Sequence, residues 1–166
     1  MKLHLYDSEA TEVLGAALAC ALPALSDAPA VLHLIGELGA GKTTCARSLL
    51  RTLGVAGIVR SPTYTLVEMY PAGPVQCVHV DLYRLQGAED LEDLGLRDFL
   101  APGNLLLIEW PERGAGLLPP ADVAVSLSYE AEGRDATLRA GSSRGMVWLD
   151  NLRTDTRLIP YLSNLT

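Results

Sequence analysis

A chain of 166 residues, 49% hydrophobic and 20% charged, fits one domain that buries roughly 70% of its unfolded surface, and this balance excludes disorder except at the ends. A net charge of -7 excludes a broad nucleic-acid-binding face, which needs a cationic field to neutralise phosphates. Cys20, Cys45 and Cys77 are odd in number and far apart, which argues against a disulfide framework or a zinc site and suits a reducing cytoplasm.

At the N-terminus, Lys2 precedes the apolar GAALACAL, but Asp7, Glu9 and Glu12 interrupt the uncharged run of a signal peptide. No segment reaches the roughly 20 apolar residues of a membrane span. Residues 3–6 predict a short strand, with Ser8 as the N-cap of an amphipathic helix over 9–22 that ends before Pro23. After the loop LPALSDAP, residues 31–35 (VLHLI) are an apolar run of strand length, and 43–53 predict a helix closed by Gly54. Arg60-Ser61-Pro62 is extended, because the residue before proline avoids the α region. TYTLVEMY is then a strand that turns through PAGP and pairs with VQCVHVD as an antiparallel hairpin. GAEDLEDLGLRDFLA carries one or two short helices, and NLLLIEW, bounded by Pro102-Gly103 and Pro111, is a buried central strand. DVAVSLSYEAEG and RDATLRAG make a further hairpin. A short helix is possible from about Gly145, and 150–166, with weak periodicity and a proline, is expected to be a peripheral or partly disordered extension of a domain spanning 1–149.

The chemistry concentrates between the apolar run at 31–35 and the helix after it. GELGAGKT, Gly36 to Thr43, fits GxxxxGK[ST], a loop whose backbone N–H groups wrap phosphate oxygens at a helix N-terminus. Gly36, Gly39 and Gly41 let the backbone approach the phosphates; Lys42 reaches the β and γ oxygens and the Thr43 hydroxyl ligates Mg2+. Such a site needs a carboxylate at a neighbouring strand end, and Glu109 and Asp81 both qualify, the alternative for each being a solvated acid. Thr63 and Thr65 in SPTYTL lie where a switch segment would sense the γ-phosphate, unless the stretch is an ordinary loop. Trp110 packs on nucleotide, on a partner or in the core. No arginine is identifiable from spacing as an arginine finger. His4, His33 and His79 lack paired spacing and are expected to be structural, and Glu89, Asp90, Glu92 and Asp93 form a solvated helix face or dock a basic partner.

Taken together and in order, GELGAGKTT, SPTYTLVE, VHVDLYRL and IEWPE resemble the TsaE (formerly YjeE) ATPases of the tRNA threonylcarbamoyladenosine pathway, over about residues 3–149. The resemblance implies a three-layer α/β P-loop NTPase domain, its mostly parallel central sheet extended by antiparallel hairpins, with ATP and Mg2+ as cofactors. It places Gly39, Ala40, Gly41, Lys42, Thr43 and Thr44 on the phosphates, Thr43 and Glu109 on Mg2+, and Asp81 near the reacting phosphate, making Lys42, Asp81 and Glu109 the catalytic set. Thr63 and Trp110 become functional, and Thr11 and Arg134 are drawn towards the nucleotide. It also implies a cytoplasmic subunit acting on the TsaB and TsaD proteins, with tRNA reached only through them. Rival readings are a small-molecule kinase, for which no arginine-rich lid is visible, and a non-enzymatic ATP-dependent interaction subunit. GTP is disfavoured by the lack of an NKxD-like motif.

Overall fold

The computed structural model describes residues 1–25, 27–85, 87, 90, 91, 94–114 and 116–163. Among them, strands β1 (Lys2–Leu5), β2 (Ala30–Gly36), β3 (Val67–Ala72), β4 (Val75–Asp81), β5 (Asn104–Glu109), β6 (Val123–Glu130) and β7 (Gly133–Ala140) form one sheet ordered β1-β7-β6-β2-β5-β4-β3. The central strands β6, β2, β5 and β4 are parallel. Antiparallel pairing adds β7 and β1 on one side and β3 on the other, so the expected α/β architecture is present. Strands buried on both faces read as unbroken apolar runs, which is why VLHLI and NLLLI were legible. In β5, Leu105 and Leu107 face one side of the sheet, and Leu106 and Ile108 the other.

Helices α1 (Ser8–Cys20), α2 (Lys42–Thr52) and α3 (Ser143–Arg153) cover the first face, packing Leu14, Leu18, Leu49 and Trp148 over Leu32, Leu34, Val123 and Val125. The α1 cap is Asp7, one residue before the expected Ser8: its carboxylate accepts from Ala10 N at 2.8 Å. Val78, Val80, Leu106 and Ile108 on the second face meet Leu82, Leu85, Leu91 and Leu96. A 3-10 helix, Leu96–Phe99, lies in the segment expected to hold short helices, whereas Glu89, Glu92 and Asp93 fall outside the described residues.

Two boundaries differ from expectation. The strand sought in TYTLVEMY begins only at Val67, because Leu66 N turns back to Pro62 O at 2.6 Å and Leu66 takes φ 62°. It then runs on through Pro71, whose missing N–H is tolerated because β3 is an edge strand, to a turn at Gly73.

The C-terminal segment is the second difference. Far from being peripheral, it completes the core through Leu152 and Leu158, which are buried, the latter in a 3-10 helix, Thr156–Tyr161. Its apolar residues were hard to read because they are spread over two short elements, each anchored by one or two side chains. Trp148 is fully buried and donates from Nε1 to Leu18 O at 2.9 Å. Trp148→Ala leaves a cavity and an unpaired carbonyl, so it is expected to cost about 3–5 kcal/mol and lower Tm by roughly 10 °C in thermal denaturation. A peripheral tryptophan would give a change of less than about 2 °C.

Candidate nucleotide site

β2 delivers the chain at Gly36 to a loop that enters α2 with Gly41 as its N-cap at φ 105°. A side chain at Gly41 would be strained at that φ, would overlap the Arg134 guanidinium, and would stand 3.2 Å from Thr11 Cγ2. The first inward amide of α2 is Cys45 N, bonded to Gly41 O at 2.9 Å. The amides of Lys42, Thr43 and Thr44 therefore have no partner within the helix and stand at the positive end of its dipole, the chemistry of an anion cradle.

Lys42 is buried at 4% exposure, with Nζ donating to Gly36 O at 2.7 Å and Glu37 O at 2.8 Å, and lies 3.9 Å from the Trp110 ring centroid. Burial pushes its pKa down, against the opposing pull of Glu109, Asp81 and Glu112. An ammonium held by neutral carbonyls and an aromatic face, instead of by a carboxylate, keeps its charge for an anion entering the cleft.

Parallel register brings the carboxylates to the loop: Asp81, ending β4, lies opposite Glu109, ending β5. Both are nearly fully buried. Glu109 Oε2 accepts from Thr43 Oγ1 at 2.9 Å, and Oε1 lies 2.8 Å from His79 Nε2. Asp81 Oδ2 accepts from Thr63 Oγ1 at 2.8 Å and Ser61 Oγ at 3.1 Å, and Oδ1 from Tyr83 N at 3.0 Å. The resulting cleft, about 200 Å³, is lined by Gly39, Gly41, Thr43, Thr44, Thr63 and Trp110 along with Lys42, Asp81 and Glu109. Trp110 is held at φ 58°, rare for a large residue, with its backbone N–H on Leu34 O at 3.3 Å and its ring 5.0 Å from that of Tyr83.

Other expected residues sit differently. Thr11 and Arg134 reach the loop without lining the cleft: Arg134 Nη1 donates to Ala40 O at 3.2 Å, and the buried Thr11 donates to Asp7 O at 3.1 Å. Thr65 bonds Glu68 at 3.1 Å on the exposed surface, so of the two candidate sensors only Thr63 faces the cleft. Sequence reading missed Tyr83, Ser61 and Tyr129, whose hydroxyl donates to Leu38 O at 3.0 Å, and it took His79 as a structural histidine only. One signal was available for His79. It stands two residues before Asp81 in a strand, hence on the same face.

Oxygen donors from Thr43, Glu109 and Asp81 suit a hard divalent cation. Among the described residues no cluster of three or more His, Cys, Asp or Glu side chains forms a self-sufficient metal cage. A Mg2+ that takes most of its ligands from phosphates and water needs only one or two protein oxygens, so the donor set fits.

Residues 5–137 match the sequence model of the family described as threonylcarbamoyl adenosine biosynthesis protein TsaE. The chain is 45% identical over 115 residues to the tRNA threonylcarbamoyladenosine biosynthesis protein TsaE of Haemophilus influenzae, covering 69% of this chain and 73% of the relative. The TsaE protein of a Nostoc species is 39% identical over 137 residues, 80% of each chain. Among solved structures, Bacillus subtilis YdiB superposes with a TM-score of 0.72 at 25% identity, covering 92% of this chain and 93% of that one. With the family pattern running from the last residue of β1 into β7 and relatives of this similarity, the chain belongs to the TsaE family of tRNA threonylcarbamoyladenosine biosynthesis proteins.

Proposed function

We propose that the chain is a cytoplasmic Mg2+-dependent ATPase subunit that acts on the TsaB and TsaD proteins during threonylcarbamoyladenosine formation on tRNA. The observation that carries this reading is the convergence of the buried Lys42, Glu109 and Asp81 with the half-buried Thr43 on the amide cradle at the start of α2. The α2 amides and Lys42 bind the phosphates, the latter by exchanging the Gly36 and Glu37 carbonyls for β and γ oxygens. Thr43 and Glu109 would hold Mg2+, which when bound would supply charge neutralisation for the phosphoryl group. Asp81, fixed on both oxygens by Ser61, Thr63 and Tyr83, orients the water whose oxygen bonds to the γ-phosphorus as the bond to the departing ADP oxygen breaks, and accepts its proton.

Exposed apolar side chains around the Thr63 segment, Ile58, Tyr64 and Met69, favour a protein partner there. A partner docked on this segment bears on the Thr63–Asp81 hydrogen bond, already formed in the chain alone, and so couples docking to hydrolysis. ATP turnover by the purified chain is therefore expected to be slow and to rise at least about 10-fold when TsaB and TsaD are added together, an increment of 1.4 kcal/mol or more in transition-state stabilisation. Equal rates with and without the partners reject the regulatory part of this reading.

A further inference from the structure

His79 is fully buried, and its Nε2 lies 2.8 Å from Glu109 Oε1. An ionised carboxylate only accepts, so with Glu109 ionised the bond needs the proton on Nε2, and in the neutral imidazole Nδ1 is then a bare lone pair. Nδ1 is buried and without a hydrogen-bond partner among the described residues. An imidazole with one unpaired nitrogen costs more to bury than a leucine of similar size, and leucine fills neighbouring positions such as Leu107, opposite His79 in the register. What the imidazole contributes is therefore the contact it makes.

That contact constrains the one soft torsion of a carboxyl group at the end of a buried strand. With Oε1 held by His79, Oε2 points to the Thr43 hydroxyl at 2.9 Å and to the cleft. Strand geometry supplies the arrangement: His79 and Asp81 share one face of β4, and Glu109 lies opposite Asp81 on β5. We propose that His79 is a positioning residue that fixes the Glu109 carboxylate so that a single oxygen faces Thr43 and the Mg2+ position. This rests on the assignment of Glu109 to Mg2+ proposed above.

The test compares the wild type with His79→Leu, which fills the space without a donor, and His79→Gln, which keeps one. The readout is the Mg2+ concentration that half-saturates the thermal shift caused by a non-hydrolysable ATP analogue, with ATP turnover measured in parallel. His79→Leu is expected to raise that concentration at least about 10-fold while analogue binding without Mg2+ stays within about two-fold, and His79→Gln to recover most of the loss. In a Glu109→Gln background, His79→Leu adds no further change, because the two residues act as a unit. An unchanged Mg2+ requirement in His79→Leu, a His79→Gln variant no better than His79→Leu, or additive effects in the double variant overturns the proposal. Should His79→Leu not fold, His79→Gln decides alone: a Mg2+ requirement within about three-fold of the wild type supports the role, and a larger change overturns it. A wild-type chain that binds the analogue with no response to Mg2+ instead rejects the cofactor reading itself.

Discussion

Lys42→Ala is expected to lower ATP turnover at least about 100-fold and to weaken ATP binding at least about 10-fold. The ammonium is almost wholly removed from water, and burial pushes its pKa down, so it is a charge kept in an unfavourable place. Its hydrogen bonds to Gly36 and Glu37 are to neutral carbonyls, and phosphate oxygens would offer it a full opposite charge in their place. Lys42→Arg is expected to recover little, since a wide planar guanidinium does not present the compact point charge that the ammonium holds beside the two loop carbonyls and the Trp110 ring. Steady-state hydrolysis and calorimetric ATP titration measure both effects, with circular dichroism as the control for folding. Turnover within about five-fold of wild type would sink the proposed chemistry.

Glu109→Gln should separate binding from turnover. The substitution preserves shape but leaves one accepting oxygen between the Thr43 hydroxyl and the His79 N–H, and it removes the negative charge. ATP affinity without Mg2+ is expected to stay within about three-fold, while turnover falls about 100- to 1,000-fold and the Mg2+ requirement rises. Asp81→Asn is the informative comparison. Its carboxylate is engaged by Ser61 and Thr63 rather than by Thr43, so turnover should fall with a smaller change in Mg2+ requirement. If the two variants showed the same Mg2+ profile, the division of roles between the carboxylates would be wrong.

Much of this site was legible before any coordinates, for a local reason. A phosphate cradle is built from consecutive backbone amides, so Gly36 to Thr44 announces itself as one string. Glu109 was legible because it ends the apolar run of a buried strand, and Asp81 because it ends the mixed polar and apolar hairpin strand VQCVHVD. His79 was not. Its meaning depends on a hydrogen bond to a residue 30 positions away, and in the sequence it is one histidine in an alternating strand. Thr63 and Thr65 were equivalent candidates in SPTYTL, and only the turn closed by Leu66 at φ 62° sends one to Asp81 and the other to Glu68.

By itself, the sequence determined the glycine-rich loop and the central apolar strands, because each follows from hydrophobic periodicity or from the stereochemistry of contiguous residues, while the class of fold came from the resemblance that the motifs carry together. Tertiary structure alone decided which carboxylate faces Thr43, how His79, Arg134 and Tyr129 support the site, and that the C-terminal segment belongs to the core through Leu152 and Leu158. These are contacts between distant segments, set by strand order and by a register in which a slip of one residue would turn Asp81 or Glu109 to the opposite face of the sheet.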